Sequence, residues 1–572
     1  MASSPSPLSI ERPRMAWFSA RQGRRGRLWQ FCPRLNPPTS GWLLVLLALG
    51  WLAGGAAAQP APVVYNIRDY GARPGKTGNA QAAIQRAIEA CAQAGGGQVL
   101  VPAGTFGTAT VYLRDNVELH LASGATLLAL PDSTLYRNDK AGLLDAGDSF
   151  IPALIVARNV ANVSLTGPGR VLGEPRYSTF NVTAPDTYPG WTANALAAGV
   201  DTRALRVRDP KVSLVYISGC RNVALRDIRI ENSPNWSCHL QWSQDVTISG
   251  VHISSSLERG VNSDGLDLDG CKRVLVTDCI IRTGDDAICL KTTRQGGRSE
   301  TCEDISVSNC TLSSSSCALK IGTETYADLR RILFTNCTIS DTNRGLGIIV
   351  RDGAVVSDVV FSNIALDCRR RPFFWWGNGE AFHFTVLRRN EQSRLGRIEN
   401  VRVQGLSGGV EGTSTVTGFA GVGEEAYSAI RNVTLADIHL AMRPESERDK
   451  RATDGLAIRN AEGIEVRHVA LDWDAHAPEA TWAHGLALRS VRDFRIEQFE
   501  SRPAPQNYRA AVLLADTRRG WLAWPALAPA GPVYCEITGA QTQAVRIQAP
   551  NPKKLPLLVV ATEARKAVVL TR

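Results

Sequence analysis

The chain has 572 residues, of which 44% are hydrophobic and 21% charged, a composition typical of a globular protein with a large core. The formal net charge of +10 is concentrated at the front, since residues 1–58 contain seven Arg and a single Glu. The remainder is only mildly basic, so the charge gives no reason to expect nucleic acid as a partner.

Residues 1–58 have the pattern of an export signal. The Arg-rich stretch RQGRRGRLW precedes the apolar run WLLVLLALGWLAGG, and Ala56-Ala57-Ala58 then fits a small-residue cleavage site. The apolar run is short for a membrane span. We therefore expect cleavage near Ala58, a secreted or periplasmic protein and no stable membrane insertion afterwards, with an uncleaved anchor as the alternative.

The next segment predicts a helix that closes the end of a larger structure. The stretch GNAQAAIQRAIEACAQAGGG is amphipathic from about Asn79 to Gln93, and Gly95-Gly96-Gly97 ends the helical pattern. Such a helix can cover the exposed edge at the open end of a solenoid. The stretches GQVLVPAGTF and NVELHLASGATLLAL then begin a strand pattern.

The middle and end of the chain repeat one unit. Each unit has two aliphatic residues at period two, a turn at Asn, Asp or Gly, and two further aliphatic residues at period two, which predicts strands. Clear copies are RNVALRDIRI from Arg221, QDVTISGVHI from Gln244, KRVLVTDCII from Lys272, EDISVSNCTL from Glu303 and RRILFTNCTI from Arg330. Successive units start 23 to 42 residues apart along the chain.

This repeat predicts an all-β fold, a right-handed parallel β-helix over about residues 62–505. One unit cannot bury its inward face alone, whereas stacked units can. The absence of a helical pattern between units argues against βαβ units. A propeller is the rival, but its blades need about 40–45 residues and four antiparallel strands each. Residues 506–572 lose the repeat, so we expect them to form a C-terminal cap.

Three cysteines, Cys279, Cys310 and Cys337, occupy one repeat position that other units fill with Ile or Val. Free cysteine is commonly buried as a small apolar side chain. We therefore expect a column of buried thiols, with a disulfide as the alternative for any pair.

Two acidic turns lie 21 residues apart, Asn262-Ser263-Asp264 and Gly284-Asp285-Asp286. Because this offset is close to one short coil, we expect Asp264 to lie about one rung from Asp285 and Asp286, on one face. The alternatives are turn residues that cap strand ends and a calcium site.

Hydrolysis of a glycosidic bond is a reaction that suits clustered carboxylates. It needs a protonated acid at the leaving oxygen and a carboxylate base that activates water, about 6.5–9.5 Å away in an inverting enzyme. Crowding raises one carboxyl pKa and keeps that group protonated near neutral pH. Asp285 and Asp286, with Asp264 one rung away, provide groups for both roles.

These motifs resemble those of glycoside hydrolase family 28, the polygalacturonase and rhamnogalacturonase family of right-handed β-helix enzymes. The segments NIRDYGARPGKTGNAQAAIQRAIEACAQAGGGQVLVPAGTF, NVSLTGPGRVLG and ENSPNWSCHL are also similar to family segments. The family's Asn-Thr-Asp motif reads Asn262-Ser263-Asp264, and its Gly-Asp-Asp motif is intact at Gly284-Asp285-Asp286. The resemblance implies that Asp285 is the general acid, that Asp264 and Asp286 hold and activate water with inversion, and that no metal or cofactor is needed.

Two family motifs are missing from the chain. The Gly-His-Gly triplet aligns with Ser316-Cys317-Ala318, and the Arg-Ile-Lys triplet, which grips a galacturonate carboxylate in the family, aligns with Gly347-Ile348-Ile349. Hydrolase activity remains the expectation, but other residues must then bind an acidic sugar.

Candidate substrate-binding residues lie on the coils around the acidic turns. Alternation of the aliphatic residues turns Lys291, Lys320 and Arg351 outward beside the Asp cluster, with a solvated sheet face as the alternative. Asn262 belongs to the first acidic turn. Trp236 and His239 lie one coil earlier, where the Trp could stack on a sugar ring or pack in the core.

A second group of candidates lies in RPFFWWGNGEAFHF, which interrupts the repeat. Trp375, Trp376, Glu380 and His383 are candidates for a cleft wall, with an apolar cluster under a long loop as the alternative. Asp267 and Asp269 also point away from the core and are supporting or structural candidates.

The sequence thus predicts a monomeric glycoside hydrolase, polygalacturonase-like, that acts on pectic or related acidic polysaccharides or oligosaccharides. A lyase of the same architecture, which cleaves uronates by β-elimination, is the first alternative. A non-catalytic β-helix that binds glycan is the second.

Overall fold

The computed structural model describes residues 63–141, 143, 152–174, 177–178, 206–207, 211–260, 262–371, 377–421, 429–507, 509–525, 533–549 and 558–571. All of them belong to one compact unit, Pro62–Arg572. Within these ranges, no helix combines the length and apolar character that crossing a bilayer requires. The predicted export segment and Trp375 and Trp376 lie outside the described residues.

One α-helix covers the N-terminal end of the strand stack, as predicted. This helix, α1 (Gln81–Gln93), follows an Asn79 side chain that accepts a hydrogen bond from the Gln81 amide at 3.0 Å. Its buried side chains, including Ile84 and Ile88, face the first strands. Short 3₁₀ helices span Ile67–Tyr70, Ser133–Leu135 and Thr562–Ala567.

The strands of the first third of the chain are short. They are β1 (Val64–Asn66), β2 (Gly97–Val101), β3 (Gly104–Thr108), β4 (Val111–Tyr112), β5 (Val117–Leu121), β6 (Ala125–Ala129), β7 (Ala153–Arg158), β8 (Ala161–Thr166), β9 (Arg170–Leu172), β10 (Tyr177–Ser178), β11 (Arg206–Val207), β12 (Ser213–Ser218), β13 (Arg221–Arg226) and β14 (Arg229–Glu231). Strands β10 and β11 form a separate antiparallel pair.

The coils around the acidic turns continue this arrangement. Their strands are β15 (Cys238–Gln241), β16 (Gln244–Ser249), β17 (His252–Ser254), β18 (Leu266–Asp269), β19 (Lys272–Thr277), β20 (Ile280–Thr283), β21 (Ile288–Thr292), β22 (Cys302–Ser308), β23 (Thr311–Ser314), β24 (Cys317–Thr325), β25 (Leu329–Thr342), β26 (Arg344–Val350) and β27 (Val355–Cys368).

Later strands are often longer because they run from one face of the coil onto the next. They are β28 (Glu380–Val386), β29 (Arg397–Val410), β30 (Ser414–Thr417), β31 (Ile430–Met442), β32 (Leu456–Trp473), β33 (Leu486–Ser501), β34 (Val512–Ala515), β35 (Arg518–Ala523), β36 (Cys535–Thr538), β37 (Gln543–Gln548), β38 (Leu558–Val560) and β39 (Val568–Thr571).

Apart from β10 and β11, the strands pair in parallel with the equivalent strands of neighbouring coils, which confirms the predicted right-handed parallel β-helix. One face, here called the site sheet, runs in the order β4, β7, β12, β15, β18, β21, β24, β26, β28 and β30. A second face contains β13, β16, β19 and β22, and a third contains β14, β17, β20 and β23. Parallel pairing in this form requires the chain to complete one coil between partners.

The period-two aliphatic residues of the repeat form columns inside the coil. Leu225 lies beside Ile248, which lies beside Val276 in the next coil, and all three are fully buried. Burying each such side chain stabilises the fold by about 1.5–3 kcal/mol. Cys310 and Cys337 occupy a similar buried column, and the cysteines of the described residues are free thiols, as expected.

The turns between faces form a second ladder, on the outside of the coil. Asn116, Asn162 and Asn222 all have a positive φ, between 54° and 60°. Asn is among the few residues that tolerate this left-handed conformation. Asn222 Nδ2 donates to Asn162 Oδ1, and Asn162 Nδ2 donates to Asn116 Oδ1, both at 2.7 Å. The turn residues therefore define the length of each straight segment.

The coil stack extends past the expected boundary at residue 505. Strand β34 pairs with β33 and then with β36, and β35 pairs with β37 and then with β39, all in parallel. Inward residues such as Leu514 and Ile537 keep the period-two alternation and are fully buried. The described residues beyond 505 therefore add coils, and their altered turn residues explain why the repeat is hard to recognise there.

Candidate active site

The two acidic turns lie next to each other, directly before strands β18 and β21 of the site sheet. The Gly265 amide donates to the Asp286 carbonyl at 2.8 Å, so the turn that ends at Asp264 stacks directly on the turn that contains Asp285. One carboxylate oxygen from each of the three Asp lies within 4.8 Å of the others. The 21-residue offset is thus one coil, and all three side chains are buried.

A glycine allows the second turn to approach its neighbour this closely. A Cβ on Gly284 would lie 2.4 Å from the Ser256 carbonyl oxygen and 2.5 Å from that of Gly260. The turn then presents Asp285, whose Oδ2 accepts from the Asn262 amide at 3.2 Å and whose Oδ1 accepts from the Asp286 amide at 2.9 Å. Asn262 thus contacts Asp285 through its backbone.

Two lysines compensate the charge of the three Asp. Lys320 Nζ lies 2.5 Å from Asp286 Oδ2, and Lys291 Nζ lies 3.5 Å from a carboxylate oxygen of Asp264. Lys291 is also 3.5 Å from both Asp267 and Glu324. Both lysines lie beside the acidic turns, but they do not form the predicted column, because Lys291 is in register with Asp269 whereas Lys320 is in register with Cys289. They are buried ion-pair partners there, in contrast to the solvated alternative.

The surroundings push the pKa values of the three Asp apart. Burial, followed by the charges of Asp264 and Asp286, raises the pKa of Asp285 well above its usual value. Burial opposes ionisation of Asp286 too, but the Lys320 and Lys291 ammonium groups outweigh it and hold the pKa of Asp286 below its usual value. Burial raises the pKa of Asp264 to about 6, with Lys291 opposing that rise. Of the two neighbours, Asp285 is therefore the carboxyl that retains a proton more readily and Asp286 the one that ionises more readily.

Small residues at the positions of the two missing family triplets leave space for Lys320 beside Asp286. Ser316 Oγ donates to Asp286 Oδ1 at 2.8 Å, and the Cys317 thiol faces the Leu319 carbonyl. Gly347 lies beside Lys320 in the next strand, and a Cβ there would come within 3.0 Å of Cys317 Sγ. A large basic side chain at position 347 would therefore crowd this part of the site.

Trp236 and His239 lie one coil before Asp264, as predicted, because the Ser237 amide donates to the Asp264 carbonyl at 2.8 Å. The His239 ring packs edge-on against Trp236, and its Nε2 is 3.1 Å from Asp269 Oδ2. Burial and the Lys140 ammonium lower the pKa of His239 to about 4, so the imidazole is neutral at pH 7. Asp269 is thus a supporting residue that orients His239.

Lys140 is a member of this region that the sequence did not reveal. It follows β6 in the non-repeating stretch YRNDK, and its ammonium lies 5.1 Å from the centre of the Trp236 ring. A lone lysine outside the repeat has no periodic neighbour to place it, so its position depends on the fold.

On the other side of the Asp cluster, Arg344 forms a buried ion pair with Glu380, with Nε and Oε1 2.6 Å apart. His383 Nδ1 lies 2.7 Å from Thr415 Oγ1, and burial lowers the pKa of His383 well below its usual value. Arg351 follows β26, where its amide donates to Thr325 Oγ1 at 2.9 Å. Arg344 was missed because it is the first residue of β26, directly after the bend at Asn343, where the repeat pattern gives no orientation.

A family model matches the middle of the chain, where the acidic turns lie. Residues 136–375 match the sequence model of the glycosyl hydrolases family 28, and this range contains all three Asp. The match confirms the resemblance stated from the acidic motifs.

Two relatives by sequence are an exo-poly-α-D-galacturonosidase of Dickeya chrysanthemi and an endo-polygalacturonase of Pectobacterium carotovorum subsp. carotovorum. The first is 28% identical over 258 residues, 40% of this chain and 42% of the relative. The second is 27% identical over 300 residues, 51% of this chain and 70% of the relative. The alignment with the first relative thus spans less than half of that protein's length.

The solved structure of a Yersinia enterocolitica family 28 exopolygalacturonase is similar in fold. It superimposes with a TM-score of 0.57 over 78% of this chain and 79% of that chain, at 19% identity. The likeness supports the β-helix architecture.

Proposed function

We propose that this chain, whose residues 136–375 match the model of the glycosyl hydrolases family 28, hydrolyses glycosidic bonds in pectic or related acidic polysaccharides or oligosaccharides. The observation that carries the proposal is the set of three buried carboxylates within 4.8 Å of one another. Burying and crowding ionisable groups lowers the stability of the fold, which favours a catalytic role for this cluster over a structural one. Two relatives by sequence are named as an exo-poly-α-D-galacturonosidase and an endo-polygalacturonase, and these names support a pectic substrate.

Asp285 serves as the general acid in this proposal. Its raised pKa keeps a proton on the carboxyl near neutral pH, and a protonated carboxyl is what the leaving glycosidic oxygen requires. The amide hydrogen bonds from Asn262 and Asp286 hold the carboxyl in place.

Asp264 and Asp286 orient and deprotonate the attacking water. Asp286 is ionised beside Lys320. Asp264, with a pKa of about 6, is largely ionised at pH 7. One buried oxygen of Asp264, Oδ1, accepts no hydrogen bond from the described residues and is placed to accept one from water.

Inversion of the anomeric configuration is the stereochemistry we propose. One oxygen from each carboxylate lies within 4.8 Å of the others, which is closer than the about 6.5–9.5 Å typical of inverting pairs and nearer to the about 5–5.5 Å of retaining pairs. Inversion is nevertheless favoured because both oxygens of Asp286 are engaged, one by Lys320 and one by Ser316, which weakens Asp286 as a nucleophile.

One experiment tests the reaction class. Purified protein is incubated with galacturonan and rhamnogalacturonan fragments while reducing ends and near-ultraviolet absorbance are followed together. We expect new reducing ends without absorbance, because hydrolysis leaves no unsaturated uronate. Absorbance that grows with the reducing ends would instead identify a lyase. Binding of the fragments without cleavage would identify a non-catalytic glycan-binding protein.

Export with cleavage near Ala58 and a monomeric state belong to the same proposal. A pectic polysaccharide is an extracellular material, so an enzyme that acts on it must meet it outside the cytoplasm. N-terminal sequencing of the protein recovered from culture medium or periplasm, followed by its size in solution, tests both expectations.

A further inference from the structure

The region before Asp264 contains a buried ammonium group that the proposed reaction does not use. Lys140 is 1% exposed, and its Nζ donates one hydrogen bond, to Ser213 Oγ at 2.8 Å. Its ammonium also lies over the rings of Tyr216 and Trp236, at 5.2 and 5.1 Å from their centres. Among the described residues, no carboxylate lies within ion-pair distance of Lys140 Nζ.

This environment differs from that of the two other lysines in the site. Lys291 and Lys320 each contact carboxylates directly, whereas Lys140 makes no such contact with the described carboxylates. An ammonium removed from water without a direct counter-charge is unfavourable. Cation–π contacts with Tyr216 and Trp236 offset only part of that cost. The position therefore favours an incoming anion.

A second buried group at the same place can also contact a ligand. Asp267 is 0% exposed, and neither of its carboxylate oxygens accepts a hydrogen bond from the described residues. Burial, with the Asp264 charge, raises the pKa of Asp267 well above its usual value. A protonated Asp267 can donate a hydrogen bond to a sugar hydroxyl or carboxylate without repelling an anion.

The step from the acidic turns to Trp236 is comparable to the length of one sugar unit. Trp236 stacks one coil before Asp264, and adjacent strands lie about 4.8 Å apart. Lys291 lies 4.5 Å from the centre of the same Trp236 ring, so the ring is contacted by two ammonium groups. A saccharide that lies along the site sheet with its scissile bond at Asp285 would thus place a neighbouring unit beside Trp236.

We propose that Lys140, beside the Trp236 ring, forms a subsite one coil before Asp264 that binds the carboxylate of a uronic acid unit. The inference rests on the proposed function, since it assigns an acidic substrate to the same site. Lys140 would then act in substrate selection, a role for which Lys320 is less suited because Asp286 already engages it.

Binding measured without turnover tests the subsite. In an Asp285→Asn background, isothermal titration compares an oligogalacturonate of defined length with its fully methyl-esterified form. We expect Lys140→Met to weaken binding of the acid at least tenfold and binding of the ester less than twofold. Arg137→Met is the control, since Arg137 is an exposed basic residue on the same segment. It should leave both affinities unchanged.

Equal losses for acid and ester, an unchanged acid affinity, or an equal effect of Arg137→Met would each overturn the subsite. If Lys140→Met lowers the melting temperature so far that binding cannot be read, Lys140→Arg decides. It should retain the preference for the acid, and equal binding of acid and ester by a folded Lys140→Arg protein would refute the proposal. Hydrolysis by the wild-type protein is scored separately, so failure of the reaction and failure of the subsite are distinguishable.

Discussion

Lys320 Nζ lies 2.5 Å from Asp286 Oδ2, while the oxygens of the neighbouring Asp285 accept hydrogen bonds from the backbone amides of Asn262 and Asp286. The pKa values of these two adjacent carboxyl groups shift in opposite directions, up for the buried Asp285 and down for Asp286, because only Asp286 contacts an ammonium directly. The proposed roles of acid and base rest on this difference.

Removal of the proton donor is the first prediction. Asp285→Asn should lower kcat by about 10²–10⁴-fold, the usual contribution of general acid–base catalysis, while the melting temperature stays near that of wild type. Asp278→Asn is the matched control, since Asp278 is an exposed turn residue with a positive φ that Asn tolerates. A folded Asp285→Asn protein with wild-type kcat would contradict the assignment.

The Lys320–Asp286 ion pair predicts a change in the pH profile. Lys320 holds the pKa of Asp286 low and also lowers that of Asp285. Lys320→Met should therefore move both limbs of the kcat/KM profile to higher pH, the acidic limb by about 1–3 units. Lys320→Arg should restore the profile in large part. The half-exposed Lys272 provides the control Lys272→Met, and a profile that Lys320→Met leaves in place would remove Lys320 from this role.

The stereochemistry of the first product is a third prediction. We expect the newly formed reducing end to have the configuration opposite to that of the cleaved bond, because Asp286 is engaged by Lys320 and Ser316. Proton NMR recorded in the first minutes, before mutarotation equilibrates the anomers, measures this directly. A retained configuration would show that the close approach of the carboxylate oxygens, within 4.8 Å, reflects a nucleophilic mechanism.

The close approach at Gly284 predicts a stability effect. In Gly284→Ala, the new Cβ would meet two backbone carbonyl oxygens, at 2.4 and 2.5 Å. Backbone cannot move aside cheaply, so we expect a loss of about 1–3 kcal/mol in the free energy of unfolding and impaired catalysis. The control is Gly78→Ala, since a Cβ at Gly78 meets no atom within 4 Å. Equal melting temperatures for the two variants would refute the steric argument.

The buried ion pair between Arg344 and Glu380 predicts a coupled effect. Arg344→Met should lower the free energy of unfolding by about 3–5 kcal/mol, because it leaves the Glu380 carboxylate buried without its partner. The double variant Arg344→Met/Glu380→Gln should recover much of that loss. Denaturant unfolding of the wild type, both single variants and the double variant measures the coupling, and strictly additive losses would argue against it.

Sequence reasoning located the acidic site because of how a coil is built. A period-two pattern and a turn residue specify where each strand runs, so an offset of 21 residues between two acidic turns specifies stacking. Asp264, Asp285 and Asp286 could be brought together on that basis, and so could Lys291 and Lys320, which follow the alternation. The C-terminal coils escaped notice because their turn residues differ although their inward alternation persists.

By itself, then, the sequence determined the fold class, the family resemblance and the stacking of the two acidic turns, since all three depend on local periodicity and motif spacing. Only the tertiary structure decided which Asp ionises more readily, because that depends on which ammonium group lies within 2.5 Å of which oxygen. It also brought Lys140 beside Trp236, although the two are 96 positions apart in the chain. A residue outside the repeat has no equivalent position in the neighbouring coils, so the repeat pattern cannot predict its contacts. Its neighbours depend on where its segment runs across the folded coil.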